Sequence, residues 1–463
     1  MLTLHAAGAE SLWDELLPEE VRVLPDDLAR LDELLRDPEL LAPIALRWER
    51  ELAEASRFSG RGRPSLAMET YVRLMVLKHR CGWGYETLMR EVSDSIHLRR
   101  FCLIALGERV PDESTVRKLT RRLGAGVVNE ITRVVIAKAR REKRFRPRAA
   151  RIDSTVVEAD VRYPTDSGLA LDSARVLARE ARKLLAKVGR DAGQVRDRSR
   201  GIGRRVRAMS RTLGRRTGER KRQVLEFTAQ AGKLVERSIR EAKRLVTVAR
   251  RRARGRGAKE KLRQIQRLGQ FIVRAERVTE QIRKRMRGER ITDRVVSIFD
   301  PDARPIRKGK LGKPNEFGFV TQICEVTENT KTRARGLIIP ATSQIGNPTE
   351  DALLPDTAAE LERLGITPRE VALDGGFNVG PTTQTLDGLD PERTFIAGRQ
   401  QPGSRRTQRR LARYRTGSEG RISHLKRSYG LRRSRLKHHD GMQTWTGWSI
   451  LTYNLDTLAI RAS

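Results

Sequence analysis

Cysteine is nearly missing from this chain: three residues in 463, Cys81, Cys102 and Cys324, far apart, with no CxxC spacing and no neighbouring histidine pair. That pattern excludes a disulfide framework and a structural zinc site, and leaves free thiols in a reducing compartment as the expectation. No run of 18 apolar residues occurs, so no membrane-spanning helix is expected. The opening MLTLHAAGAESLWDELLPEE is acidic and has no apolar signal core, so a cytoplasmic protein is expected, nucleoid-associated if its charge meets DNA. Aromatics make up only 5%, and no aromatic-rich strand motif of the kind that stacks RNA bases is present. Proline is absent from residue 165 to residue 300, which leaves that stretch free to form long unbroken helices.

What is present in excess is positive charge. Lysine and arginine total 95 against 58 acidic residues, a net charge of +37 at a sequence pI near 11.2. Such a surplus bears on partners, and a polyphosphate backbone is the natural one. The charge is segmented. Residues 1–58 hold 14 acidic and 6 basic side chains, whereas residues 171–290 hold 39 basic and 12 acidic, a net +27. At roughly 150 residues per domain the length suggests about three domains.

Helical patterns fill the first third. Residues 1–58 read as an acidic helical segment with a stripe of Leu28, Leu31, Leu34 and Leu35, either a docking element or a cap on the next domain. Residues 59–145 read as a helical DNA-binding domain. Pro64 stands near a helix start, Tyr71, Leu74, Met75 and Leu77 share a face, and VPDESTVRKLTRRLG supplies Asp112 and Ser114 as caps with Gly124 as a stop. Its basic helix nominates Arg117, Lys118 and Arg121 as DNA contacts in a helix-turn-helix-like arrangement. Residues 171–290 read as an arginine-rich helical insertion. Glu219–Arg254 and Lys259–Arg287 carry three-four apolar spacing and are separated by Gly255 and Gly257. They predict an antiparallel hairpin with a helix near Leu177–Val188 beside it, a basic arm for DNA or dimerisation.

Around this insertion lie β-branched and aromatic runs: RAARIDSTVVEADVRY before it, and DRVVSIFD, FGFVTQICEVT, RGLIIPATS, REVALDGGF and RTFIAG after it. With the helix-like EDALLPDTAAELERLG among them, residues 146–170 and 291–463 read as a single α/β catalytic domain split by the insertion. Two aspartates sit in the strand runs, Asp153 and Asp374. Aspartate is depleted in strands and an unpaired buried carboxylate is expensive, so both are expected to face a cation. Glu419 opens a basic helical segment. Two strand-borne aspartates and a helix-borne glutamate suit two divalent ions for phosphodiester chemistry, with Asp153 bridging and Asp374 and Glu419 holding one each. Lys426 shares a face with Glu419, Ile422 and Ser423. Arg415, Arg421 and Lys426 are candidate DNA contacts, as are Lys308, Lys310 and Lys313 in a basic loop, while His424 and Arg427 add positive charge nearby. Asp166 reads as a helix cap, Glu316 as a strand-start residue, and Trp445 and Trp448 as core.

The order of GRPS, VPDESTVRKLTRRL, RIDSTVVEADVRYPTDSGL, KGKLGKPNEFG, LDGGFN and EGRISHLKRSYGLRRSR resembles the DDE transposases of bacterial insertion sequences, over roughly residues 60–460. The family pattern of Tyr, two residues, Arg, three residues, Glu, six residues, Lys is met at Arg415, Glu419 and Lys426 but not at its tyrosine, because position 412 is Ala and the nearest tyrosine is Tyr414. The resemblance implies a helical N-terminal transposase domain and an RNase H-like catalytic core. It makes Asp153, Asp374 and Glu419 catalytic, with two Mg²⁺ ions that Mn²⁺ can replace. It also implies double-stranded DNA partners (the element's terminal inverted repeats and the target) and a homodimer. The implied reaction is hydrolysis at the element end followed by attack of the released 3′-hydroxyl on target DNA. Two other readings stay open, another metal-dependent nuclease of the same fold and a non-catalytic DNA-binding protein.

Overall fold

The computed structural model describes residues 2–7, 15–54, 65–212, 217–255, 257–307, 315–399 and 403–461. The chain divides into two compact units. The first comprises residues 1–160 and 318–463, the second residues 161–317.

The first unit begins with α1 (Glu19–Arg22), α2 (Asp26–Leu35), α3 (Ala42–Glu54), α4 (Met68–Arg80), α5 (Tyr85–Asp94), α6 (Ile96–Phe101) and α7 (Glu113–Arg141). The leucine stripe of α2 does what its spacing predicts: Leu28, Leu31 and Leu35 are buried. Helix α4 is buried nearly all round, the signature of a central helix. Its buried Arg73 donates through Nη1 to the Asp32 carboxylate at 2.5 Å and the Phe101 carbonyl at 2.9 Å. Lys78 lies over the rings of Trp445 at 4.0 Å and Tyr85 at 4.9 Å, and burial pushes its pKa down to about 7. Within α7 the backbone at Gly124 is non-helical, with a φ of 67°, so the basic helix ends at the glycine expected to stop it and a second helix follows across the kink.

Strand β1 (Ala149–Ala159) comes next. The second unit then occupies the chain with α8 (Asp166–Val188), α9 (Ser199–Thr212), α10 (Gly218–Arg251), α11 (Ala258–Met286) and the short β2 (Arg304–Arg307). The predicted hairpin is α10 and α11, and α8 packs beside both. Their shared core includes Leu177, Leu184, Val235, Leu245, Leu268 and Val278. The run DRVVSIFD, expected as a strand, forms none. Val295 and Ile298 instead add to this helical core, because two apolar residues three apart serve a helical face as well as a strand. The helical unit is therefore longer than the expected 171–290. Asp166 opens α8, but Thr165 is the cap, accepting from the Gly168 N–H. Asp166 itself is buried between Gln281 and Arg285.

The chain re-enters the first unit through β3 (Asn315–Thr327), then β4 (Leu337–Ile338), β5 (Thr342–Gln344), α12 (Glu350–Arg363), β6 (Glu370–Leu373), α13 (Val379–Leu386), β7 (Arg393–Ile396), α14 (Arg405–Ser428), β8 (Arg433–Ser434) and α15 (His438–Arg461). The sheet order is β3–β1–β6–β7. Strand β3 is antiparallel to β1, while β6 and β7 run parallel to it. Alternation along the strands gives the sheet two faces. Ala150, Ile152, Val371, Leu373 and Ile396 enter one large core with α2, α4, α7, α12 and α15. Ala149, Ala372 and Phe395 face α14 through Leu411 and Tyr414. The acidic N-terminal helices, the helical segment after them and the sheet thus share one core, where the charge pattern suggested separate domains. Trp445 and Trp448 are both buried, as expected of core residues, Trp448 within this core.

Candidate active site

Position 151 and position 153 of β1 point to the same side of the sheet, toward α14. Parallel pairing of β1 with β6 sets Ile152 opposite Leu373, so Asp153 and Asp374 emerge side by side at the next position of each chain. Asp153 is buried. Asp374 begins the turn after β6, where Gly375 closes to within 3.1 Å of the Ala397 carbonyl for a would-be Cβ, and Gly376 leaves room that a Cβ would take from the Glu350 carboxylate. Glycine is needed there because two backbones and a side chain converge.

Glu350, the first residue of α12, is the residue that sequence reading missed. Oxygens of Asp153, Glu350 and Asp374 lie within 4.8 Å of one another, a set that could hold a metal ion. An acid in the first turn of a helix is ordinarily explained by the helix dipole, and that explanation hid it. The only signal for it in the sequence was the adjacent strand T-S-Q and helix start, which place it at the same sheet edge as Asp153.

Glu419 approaches from α14. Arg415, one turn earlier, donates to Asp374 Oδ1 at 2.6 Å and to Glu419 Oε1 at 3.0 Å, so one guanidinium ties the second and third acids together. The three acids singled out from sequence therefore converge, and Arg415, expected as a DNA contact, links two of them. Glu419 is the most open, with 62% of its side chain exposed. The Asp153 carboxyl is pushed up to about 6, first by burial and then by the neighbouring Asp374 charge, with Glu419 adding to it and the Ser154 N–H and Arg415 opposing. Among the described residues the carboxylates of Asp153, Asp374 and Glu419 share the one guanidinium of Arg415, an arrangement short of positive charge.

Two residues along β1, the charges balance. Arg151 is buried and donates twice to Glu325 Oε2, at 2.8 and 2.6 Å, and to the carbonyls of Tyr414 and Ala334. Glu325 Oε1 takes the Gly336 N–H at 2.8 Å and Arg421 at 3.0 Å. Arg421 also lies over the Tyr453 ring, so this predicted DNA contact is turned into the fold. Tyr414, the tyrosine displaced from the family pattern, is buried with its hydroxyl 2.6 Å from Thr327. It supports the Arg151 cluster, while Ala412 is exposed.

Of the remaining candidate DNA contacts, Lys118 and Arg121 are exposed on α7 and Arg117 pairs with Glu113 at 3.1 Å. Lys426 is half-buried on α14. Lys308, Lys310 and Lys313 lie outside the described residues. Among the described residues no helix is long and apolar enough to cross a membrane.

No curated protein and no solved structure matches the chain. Residues 21–122, which run from the end of α1 into α7 and stop two residues before the Gly124 kink, match the family described as Transposase domain (DUF772), and this match supports a transposase.

Proposed function

We propose that this protein is a DNA transposase that hydrolyses a phosphodiester at the end of its element and then joins the freed 3′-hydroxyl to target DNA, using Asp153, Asp374, Glu419 and Glu350. The observation that carries the reading is the convergence of Asp153 and Asp374, remote in sequence, on neighbouring parallel strands. The strand order, the antiparallel β3–β1 pair followed by parallel β6 and β7, and helices α12 and α14 bearing acids toward one edge, support an RNase H-like core. The DUF772 match supports the transposase assignment from a separate part of the chain.

The residues fit divalent magnesium or manganese. The donors are all hard carboxylate oxygens, the neighbouring acids help to raise the proton affinity of Asp153, and Arg415, which pairs with Asp374 and Glu419, cannot by itself neutralise the group. Asp153, Asp374 and Glu350 would hold one ion, and Glu419 with Asp153 a second. A bound metal pair supplies charge neutralisation for the attacking and leaving oxygens. The protein's own part is to fix the carboxylates on rigid elements and to keep Asp153 out of bulk water. Arg415 fixes the spacing of Asp374 and Glu419. It also offers a cation to a phosphate that enters beside them. Exposure of Glu419 and Asp374 leaves the site open on the side from which a duplex must arrive.

The test uses DNA carrying the sequences that flank the gene, with Mg²⁺ or Mn²⁺. Joined products are expected from the wild-type chain and are expected to vanish with Asp153→Asn, Asp374→Asn or Glu419→Gln. Cleavage without any joined product would assign the chain to the nucleases instead, and unchanged joining by the variants would remove these residues from the chemistry.

A further inference from the structure

Helix α10 carries a row of cations that the proposed chemistry does not use. Lys233, Arg237, Arg240, Arg244 and Arg251 stand at i, i+4, i+7, i+11 and i+18, which is one azimuth of an α-helix. All five are exposed. The opposite azimuth holds Ala231, Val235, Ala242, Leu245 and Ala249, buried in the core of the second unit. Among the described residues none of the five cations has an ion-pair or hydrogen-bond partner for its side chain.

The acids nearby are already committed. Between residues 233 and 251 there are two, Glu236 and Glu241. Glu236 is held by Arg283 of α11 at 2.8 Å, and Glu241 by Arg198 at 2.5 Å. Each is drawn toward a flanking segment and away from the row. The next acid on this azimuth is Glu226, about two turns upstream of Lys233. Like charges spaced by one turn destabilise a helix by a few tenths of a kcal/mol per pair, so the row is a net cost to the free protein.

An anionic partner relieves that cost, and its class is set by what the row lacks. The apolar face of α10 is occupied by its own core, so the helix has nothing to insert into a bilayer interface, where apolar burial is required. The only other residue on the exposed azimuth in this stretch is Thr247, so there is no aromatic or aliphatic anchor for a folded protein partner. What remains is a straight, rigid line of charge about 27 Å long at 1.5 Å per residue, which suits an extended partner of dense negative charge such as a duplex, with about one charge per 1.7 Å of axis. We propose that this face of α10 is a track for the phosphate backbone of duplex DNA, bound without regard to base sequence. The proposal stands apart from the active-site reading, since it needs neither the metal nor the carboxylates.

The test is binding of the full-length protein to a fluorescent duplex of arbitrary sequence, in EDTA, across a salt series. Replacing Lys233, Arg237, Arg240, Arg244 and Arg251 together by Gln is expected to reduce the slope of log K against log salt by about 4.5, at roughly 0.9 per lost phosphate contact. A charge-matched variant with Arg250, Arg254, Lys259, Arg263 and Arg290 replaced by Gln, all exposed in the same unit, is expected to keep its slope to within about 1. Equal losses in the two variants, or no loss in the first, would overturn the track. So would tighter binding of duplex RNA of the same length. Circular dichroism checks that helix is retained. If the fivefold variant loses helix, the single Arg237→Gln and Arg244→Gln changes decide, each expected to remove about 0.9 from the slope.

Discussion

Two charged clusters sit two residues apart on β1, and they are built oppositely. Around Arg151 every charge has its complement. Glu325 accepts from Arg151, Arg421 and a backbone N–H, and Arg151 fills its remaining donors with carbonyls. Around Asp153 the acids outnumber their partner, and the burial that is harmless at Arg151 raises the Asp153 proton affinity. The same strand, the same sheet face and the same helix α14 serve both. Balance marks the cluster that holds the fold, and imbalance sets apart the one proposed above to hold cations.

The largest effect expected is at the unbalanced cluster. Asp374→Asn should lower strand joining at least about 10³-fold, roughly 4 kcal/mol in barrier, with an unchanged melting curve, measured on gels and by calorimetry. If activity and stability fell together, the contrast between the clusters would collapse. Next is Arg151→Met, which leaves the buried Glu325 Oε2 without its two guanidinium bonds, and the carboxylate with only Arg421 and the Gly336 N–H on Oε1. A broken buried pair costs about 3–5 kcal/mol, read by denaturant unfolding, and Asp374→Asn should show no such loss.

A third effect has the opposite sign. The native Asp153 carboxyl titrates near 6, above its ordinary value of 3.8. The native state then binds more protons than the unfolded chain between about pH 4 and pH 6, so stability should fall as pH rises through that window and stay lower above it. At 1.36 kcal/mol per unit the loss is at most about 3 kcal/mol. In EDTA at pH 8, Asp153→Asn should therefore be more stable than wild type, and the difference should vanish near pH 4. Mg²⁺ should restore the wild type and leave the variant unmoved. A destabilised Asp153→Asn would mean that the carboxylate is as well partnered as Glu325. The smallest effect is at Glu350→Gln, expected to weaken Mn²⁺ binding about tenfold (about 1.4 kcal/mol), tracked by the free-ion paramagnetic resonance signal.

The sequence showed the unbalanced cluster better than the balanced one. Asp153 and Asp374 are legible because aspartate is out of place in a β-branched run, and Glu419 because it stands in a basic helix with Arg415. Glu350 looks like any acid at a helix start. Arg421 looks like Arg415, since nothing in a local pattern says which of two arginines six residues apart turns toward Glu325, nearly a hundred residues away. The hairpin of α10 and α11 was readable from its spacing, whereas Val295 and Ile298 had too short a pattern to choose between strand and helical packing. Division of the N-terminal region by charge missed that α2, α4 and α7 share a core with the sheet, because apolar burial, which charge counts ignore, decides that grouping.

The second unit leaves β1 after Asp160 and returns at Gly318, and the register of β1 with β3 sets Glu158 directly opposite Gly318. A Cβ at Gly318 would collide with the β1 backbone, so the return point is pinned against the departure point. In topological terms the whole arginine-rich unit is the loop of a β-hairpin. Closing such a loop grows dearer only by about 0.6 kcal/mol per doubling of length. The pair of strands that carries Asp153 is thus nearly indifferent to the size of what is spliced between them, and cargo of quite different length and charge can be exchanged there while the carboxylates keep their places.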